Sequence, residues 1–563
     1  MSPAACLQAL WRRSEAYSRI AAYVAAVLVA APFFYHVAHH STAYLGLLED
    51  DHFYYATVAD NLAKYGKLSY DGTTLTNGFH PLWMGLIAAL RVLCGGLGPQ
   101  FYVALVMVSI VSMLLTYELG RRYAMTLGAS ARLSAAISAI YALGMARLQA
   151  TGMECVAAVP LFMWWLIEIA RPVPVTTRRA ALLGFIASLA ILARLDVAIA
   201  VAMVIVGYAL LVRPRIYVLA RQLLAFGAGG ILVPAYLAAN FIYFHTPLPV
   251  SALAKRLVVS RGFSLPYAWA VAFDTYYGPS IAVVLPLGAV ALYVLVRRDR
   301  RFLTAARFSG AVALLFGFSF FFLNALSGWI FFGWYAYPLS AATIASLVFI
   351  SQWYGSSAAS ERFRGAAKVA VLALVTLAPA LAIRYYVQHG PKWSVRDNTL
   401  LAMSYDLADH MKNRHGLSAM GACAGIAAFV MDKPVLQLEG IITDRNLVTH
   451  IQRQDPLEEV LREYGVDYLI VSLIGQGPRR QDGCYIVTQP DAEWSGKRTA
   501  KMQGRICTEP VEHFFTEAGV NSWSQFPRAE TLVWDIRSAR WGRAEGRKAA
   551  DSTGIVALNR GAQ

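Results

Sequence analysis

The sequence predicts a polytopic α-helical membrane protein of about eleven spans, followed after residue 384 by a soluble α/β domain. Long apolar runs predict the first part. Tyr23–Phe34 and Ala311–Phe322 carry no charge, and charged residues gather in the gaps between such runs. Arginine clusters at the ends of alternate runs predict that the chain threads a bilayer back and forth. Short β-branched segments around one helical pattern predict the tail. Composition agrees: 57% hydrophobic and 15% charged residues, with a mean hydropathy of +0.47, exceed what a water-soluble core needs.

Placing Lys and Arg on the cytoplasmic side gives one consistent threading. Arg12, Arg13 and Arg19 hold the N-terminus inside. The apolar run from Ile20 leads into an acidic aromatic segment with no small-x-small cleavage site, so it reads as a first span at 20–37 and not as a leader. Residues 38–100 form the first outer loop. Within it Pro81–Gly96 is apolar but short and carries Arg91, and reads as an interfacial or re-entrant helix. Span 102–120 ends at Arg121 and Arg122, and spans 131–147 and 154–170 return the chain to Arg178 and Arg179 inside. Arg194 and Asp196 divide the next stretch into spans 180–194 and 197–212, with that charged pair at the outer face. Span 222–242 leads to the outer segment Asn240–Lys255, and span 279–296 returns to Arg297, Arg298 and Arg300. Spans 306–326, 333–352 and 367–384 complete an odd number, which leaves 385–563 outside. Orientation in the membrane also accounts for much of the net charge of +16 without nucleic acid.

In the tail, Pro434–Gly440, Val466–Ile474 and Thr531–Ile536 read as strands. Asp455–Gly465 reads as a helix whose acidic start and Arg-containing end suit its dipole. The six cysteines form no metal pattern; Cys484 and Cys507 stand close enough to pair if the tail lies in an oxidising compartment.

The sharpest chemical signal is Gly46–Trp83. Glu49, Asp50 and Asp51 leave the first span together, and adjacent carboxylates either raise a proton affinity or attract a cation, Mg or Mn at Asp50 and Asp51. Either outcome suits an enzyme that takes a proton from a hydroxyl. A cluster that merely stops the span at the interface is the structural alternative. The following residues read as an amphipathic helix ended by Gly66. His80 suits a phosphate, a cation or the headgroup zone. Phe53, Tyr54, Tyr55, Phe79 and Trp83 fit a sugar-stacking wall and an interfacial aromatic belt equally well, and so do Trp334, Tyr335 and Tyr337. Glu154, Arg194, Asp196, Lys255 and Arg384 fall on the outer side, where ionisable groups between spans are costly unless paired or functional. Arg194 with Asp196 reads as a local pair. Lys255 has no acidic neighbour in sequence and suits an anionic lipid phosphate.

Taken in order, these segments resemble the membrane-embedded C-type glycosyltransferases, nearest to the bacterial arabinofuranosyltransferase-like branch. The features are an Asp-Asp-x-aromatic start to the first outer loop, an Asn- and Gly-bearing helix, a Pro-Leu-Trp interfacial helix, Gly-Met-Glu at 152–154, Leu-x-Arg-x-Asp at 192–196 and Pro249 followed by Lys255. The resemblance implies the C-type fold and transfer of a sugar, a pentofuranose such as arabinofuranose among the candidates, from a polyprenyl-phosphate donor to a cell-envelope glycan or lipid. It implies Asp50 as the catalytic base beside Asp51, with Arg194 and Lys255 near the donor phosphate. Glu49, Tyr54, His80, Glu154, Trp334 and Tyr335 complete the expected donor- or acceptor-binding set. A monomer in a bacterial inner membrane is expected, in contact with membrane lipid, its N-terminus cytoplasmic and its C-terminal domain periplasmic. Thr57 stands where members often carry Arg, and Val250-Ser251 where Asn-Thr is common, which leaves the sugar open. A lipid or glycan flippase and a non-enzymatic glycan-binding scaffold are the competing classes; the first calls for internal repeats, which the sequence does not display.

Overall fold

The computed structural model describes residues 3–172, 174–257, 284–298, 304–327, 333–355, 394–421, 423–474, 480–489, 502–517 and 528–542. Among the described residues, fourteen α-helices precede the tail: α1 (Pro3–Ala38), α2 (Asp50–Tyr65), α3 (Pro81–Leu93), α4 (Pro99–Thr126), α5 (Ala131–Ala150), α6 (Cys155–Ala170), α7 (Thr177–Ala193), α8 (Val197–Val212), α9 (Ile216–Gly229), α10 (Leu232–Phe244), α11 (Val250–Ala254), α12 (Leu285–Arg298), α13 (Ala305–Ser327) and α14 (Tyr337–Tyr354). Helix is present at each expected span that falls within the described residues. The span expected at 367–384, with Arg384, lies outside them.

Among the described residues, Pro99–Thr126, Ala305–Leu323 and Trp334–Tyr354 are long and apolar enough to cross a bilayer alone, and α9 with α10 passes as one bent pair. The remaining apolar helices, including Ala22–Ala38, α6 and α8, are shorter, so length and composition here support fewer crossings than eleven. The expected single span at 222–242 is two helices bent by 59°. Gly229 and Gly230 loosen the backbone there, and Pro234 cannot donate to the carbonyl four residues back. Leu28, Leu210, Leu224 and Phe241 turn outward and are exposed. Each would cost roughly 1.5–3 kcal/mol in water, and in hydrocarbon the penalty vanishes.

Small residues let the helices approach. A Cβ on Gly184 would lie 2.0 Å from Phe226 O, and one on Gly229 1.9 Å from Ala181 O, so α7 and α9 touch backbone to backbone. Buried polar groups bond between helices: Gln149 Nε2 donates to Ser112 Oγ at 2.7 Å and Thr116 Oγ1 at 2.8 Å.

The tail is α/β, as expected. Helices α15 (Thr399–Met411), α16 (Ala424–Met431), α17 (Arg445–Arg453) and α18 (Leu457–Glu463) accompany strands β1 (Ser418–Met420), β2 (Val435–Gln437), β3 (Tyr468–Ile474), β4 (Arg480–Gln481), β5 (Cys484–Gln489), β6 (Met502–Ile506), β7 (Glu512–Glu517) and β8 (Arg528–Asp535). One sheet runs β2-β1-β3-β8-β7, with β1 parallel to both neighbours and β8 antiparallel to both of its own. A second, antiparallel sheet runs β4-β5-β6. Cys484 and Cys507 form a disulfide across it.

The tail docks onto the first loop through backbone. Glycine is required at two points: a Cβ on Gly78 would lie 1.9 Å from Ile441 O, and one on Gly425 2.3 Å from Asp50 O. Tyr70 Oη donates to Ala424 O at 2.6 Å, Asn398 Nδ2 to Gly46 O at 3.0 Å, and the Phe53 ring meets Phe429 at 5.1 Å.

Candidate functional site

A cavity opens at this seam. Asp51, Tyr54 and Tyr55 line it from α2, and Phe79 and His80 from the segment entering α3. Met153 and Glu154 contribute from the turn before α6, Ser251 and Lys255 from α11 and its end, and Trp334 and Tyr335 from the turn before α14. The tail supplies Glu439, Ile441 and Ile442.

The three adjacent acids are separated by helix geometry. Glu49 is the residue before α2, and its backbone N–H donates to Thr151 O at 3.2 Å; its side chain is not part of the cavity wall. Asp50 opens the helix and faces the tail: Ile426 N donates to its Oδ1 at 2.8 Å and Gly425 N to its Oδ2 at 3.3 Å, both in the first turn of α16. Burial pushes the Asp50 carboxyl up to about 6, against the pull of those two N–H groups and of Tyr54. Asp51, about 100° further round the helix, is the member that meets the cavity. Both Asp50 oxygens accept from backbone N–H groups of α16 while Asp51 lines the cavity, and among the described residues no three His, Cys, Asp or Glu side chains gather to hold a metal. The donor set therefore does not fit the cation expected at Asp50 and Asp51.

Glu154 is set by a tight turn. Gly152 has φ +77°, open to glycine at little cost. Its carbonyl accepts from Trp83 Nε1 at 3.2 Å and lies 3.0 Å from His52 Nδ1. His52 is wholly buried, which pulls its imidazole down to about 4, so it is neutral and donates through Nδ1. Trp83 and Phe53 thus belong to the scaffold beneath the cavity, whereas Tyr54, Tyr55 and Phe79 are its aromatic wall.

Arg194 departs from the expected place near a phosphate. It is 3% exposed and stands behind the wall, between Asp196 (Nη2 to Oδ2, 3.0 Å) and Glu154 (Nη1 to Oε1, 2.7 Å). The rings of Tyr335 and Tyr337 lie 5.0 and 4.9 Å from its guanidinium carbon, and Tyr337 Oη donates to Asp196 at 2.8 Å. Two carboxylates and two ring faces satisfy this cation inside the protein.

His80 Nδ1 accepts from Leu195 N at 3.4 Å, which leaves the proton on Nε2, 3.7 Å from Glu154 Oε1. Burial pulls His80 down to about 4 despite Glu154 nearby, so it is a neutral donor. Lys255 is the lining cation among the described residues; its Nζ donates to Tyr335 Oη at 2.8 Å. Burial works to lower its pKa, but Tyr335 and Asp51 outweigh it, and the ammonium is held above its ordinary value.

Sequence reasoning missed Asn77 and Glu439. Asn77, fully buried, accepts from Val250 N at 2.9 Å and so fixes the start of α11 relative to the first loop. Glu439, 7% exposed, accepts from Gln437 Nε2 at 3.1 Å. The available signal was a carboxylate closing the apolar strand segment Pro434–Leu438 just before Gly440, whose φ is +78°.

No protein-family model matches the chain, and no curated protein matches it. Among solved structures it is similar to ArnT from Cupriavidus metallidurans bound to undecaprenyl phosphate, at 13% identity and a TM-score of 0.49 over 91% of this chain and 97% of that one. It is also similar to the Archaeoglobus fulgidus oligosaccharyltransferase in the apo form, at 10% identity and a TM-score of 0.47 over 80% and 69%. A third similarity is to oligosaccharyltransferase AglB of the same organism with an inhibitory peptide and a dolichol-phosphate, at 12% identity and a TM-score of 0.47 over 81% and 69%.

Proposed function

We propose that the protein is an inverting glycosyltransferase that moves a sugar from a polyprenyl-phosphate donor to a hydroxyl acceptor. The observation that carries the reading is the cavity itself, which brings the Asp51 carboxylate and the Lys255 ammonium into one enclosure roofed by the tail. Asp51 takes the proton of the acceptor hydroxyl as its oxygen bonds to the anomeric carbon. The bond from that carbon to the phosphate oxygen breaks, and polyprenyl phosphate departs with the electron pair. Lys255 meets the charge that grows on the phosphate, so it lowers the barrier as well as holding the donor. A single displacement inverts the anomeric centre. Asp50 is a positioning residue in this scheme, fixing α2 to α16, and Arg194 positions Glu154.

The resemblance adds the finer terms: a multi-pass protein of a bacterial inner membrane, about eleven spans, a periplasmic site and tail, a pentofuranose among the donor sugars, an envelope glycan or lipid as acceptor, and a monomeric enzyme. The test is mass spectrometry of the purified protein incubated with polyprenyl-phospho-sugars and candidate glycans. Loss of sugar from one donor with a matching gain on an acceptor is the expected result. Tight lipid binding with no turnover by folded protein would overturn the transferase reading in favour of a transporter.

A further inference from the structure

Glu154 is 2% exposed, yet it lines the cavity. Its Oε1 accepts from Arg194 Nη1 at 2.7 Å, with His80 Nε2 3.7 Å away. Its Oε2 is buried and has no hydrogen-bond partner among the described residues. Neutralising Arg194 does not require this carboxylate, because Asp196 already engages the guanidinium twice, Nε to Oδ1 at 3.3 Å and Nη2 to Oδ2 at 3.0 Å. Glu154 is thus a surplus buried anion with one oxygen tied down and the other unmet. An acceptor held that way costs stability unless something brings it a donor.

The geometry points to Glu154 as a specificity-determining residue: we propose that its Oε2 accepts a hydrogen bond from a hydroxyl of the transferred sugar. This rests on the transfer reading above. The sugar is favoured over the acceptor by place. The donor's anomeric carbon is one oxygen from the phosphate, which Lys255 holds, and Glu154 lines the same cavity and is tied to Lys255 through Arg194, which bonds Glu154 at 2.7 Å and lies 5.0 Å from the ring of Tyr335, whose hydroxyl accepts from Lys255 Nζ at 2.8 Å. A site with a fixed, desolvated acceptor rejects a ligand lacking the matching hydroxyl far more strongly than an apolar wall does.

Glu154→Gln makes the sharpest test. The amide oxygen keeps the bond from Arg194, and the amide NH2 replaces Oε2, so the group facing the ligand changes from acceptor to donor while size is kept. Wild type and E154Q would be compared in nanodiscs by single-turnover transfer and by lipid competition. The probes are polyprenyl-phospho-arabinofuranose, -glucose and -mannose, their monodeoxy analogues, and bare polyprenyl phosphate. The expected result is that wild type discriminates against one monodeoxy donor by about ten- to hundredfold, and that E154Q loses this discrimination while binding bare polyprenyl phosphate as wild type does. Equal losses by E154Q on parent and deoxy donors, or no preference of wild type for any sugar-bearing lipid over the bare one, would overturn the proposal. If wild type prefers a sugar-bearing lipid but never transfers it, and E154Q abolishes the preference, the Glu154 assignment stands and the transferase reading falls.

Discussion

Replacing Asp51 and Asp50 separately by Asn distinguishes two neighbouring carboxylates that sequence alone cannot tell apart. Asp51→Asn removes the proton acceptor without changing size, and loss of a general base costs about 10²–10⁴ in rate, or about 3–5 kcal/mol. Asp50→Asn acts elsewhere. Its amide oxygen can still accept from Ile426 N, now 2.8 Å from Oδ1, but its NH2 then confronts Gly425 N–H, now 3.3 Å from Oδ2. One charge-assisted bond is lost, about 1.5–3 kcal/mol. Part of that loss is offset, because burial already disfavours the charged form and holds its pKa at about 6. The expected outcome is a loss of at least a hundredfold in single-turnover transfer for D51N. For D50N we expect about tenfold or less, with faster amide exchange across residues 424–431. Full transfer by D51N would refute the assignment of the base. Abolished transfer in D50N with unchanged exchange would return the base to Asp50.

Lys255→Met conserves volume and removes the cavity's cation; transfer should fall about 10²–10³-fold, with weaker binding of bare polyprenyl phosphate in a competition assay. Gly78→Ala drives a Cβ against Ile441 O, backbone against backbone, and should loosen the seam by about 1–3 kcal/mol, seen as raised exchange in residues 439–442. Thermal stability should depend on pH in a signed way. His52 and His80, both lowered to about 4, bind more protons unfolded, so their contribution is lost as pH falls from about 6.5 to 4. Asp50, raised to about 6, opposes them, its contribution being lost as pH rises from 3.8 to about 6. D50N should therefore steepen the rise in melting temperature between pH 4 and 6, and a shallower rise would contradict the sign. Cys484→Ser with Cys507→Ser opens a loop of 23-residue separation and should cost about 3 kcal/mol of tail stability, with transfer retained because neither cysteine borders the cavity.

Helices and strands were legible where one local pattern settles the outcome. The unbroken apolar stretches at α4, α13 and α14, the Arg194–Asp196 break between α7 and α8, and β3 and β8 in the tail all announce themselves within a short window. β2 falls within the strand expected at Pro434–Gly440, whereas the three-residue β1 carries no alternation and exists because β2 and β3 flank it in parallel. The α9–α10 bend also escaped, since an apolar stretch reads as one span unless Gly229, Gly230 and Pro234 are weighed together. For the site, residue types were visible and partners were not. Arg194 looked like a phosphate ligand with Asp196 as its local mate, and its second partner, Glu154, is distant in sequence and could not be read from it. Asp50 and Asp51 differ only in which way α2 turns them, and that depends on the tail's α16. Glu439 could not be ranked from its own neighbourhood, because its importance comes from Gly78 lying against Ile441.

The seam fixes an order of assembly. Asp51 and Lys255 are made early, and the tail residues Glu439, Ile441 and Ile442 that complete their enclosure emerge from the ribosome long afterwards. Until the tail folds and docks, the carboxylate and ammonium face an open groove that water and stray hydroxyls can enter. The enclosure is therefore complete, and water shut out of it, only after the last-translated part of the chain has docked.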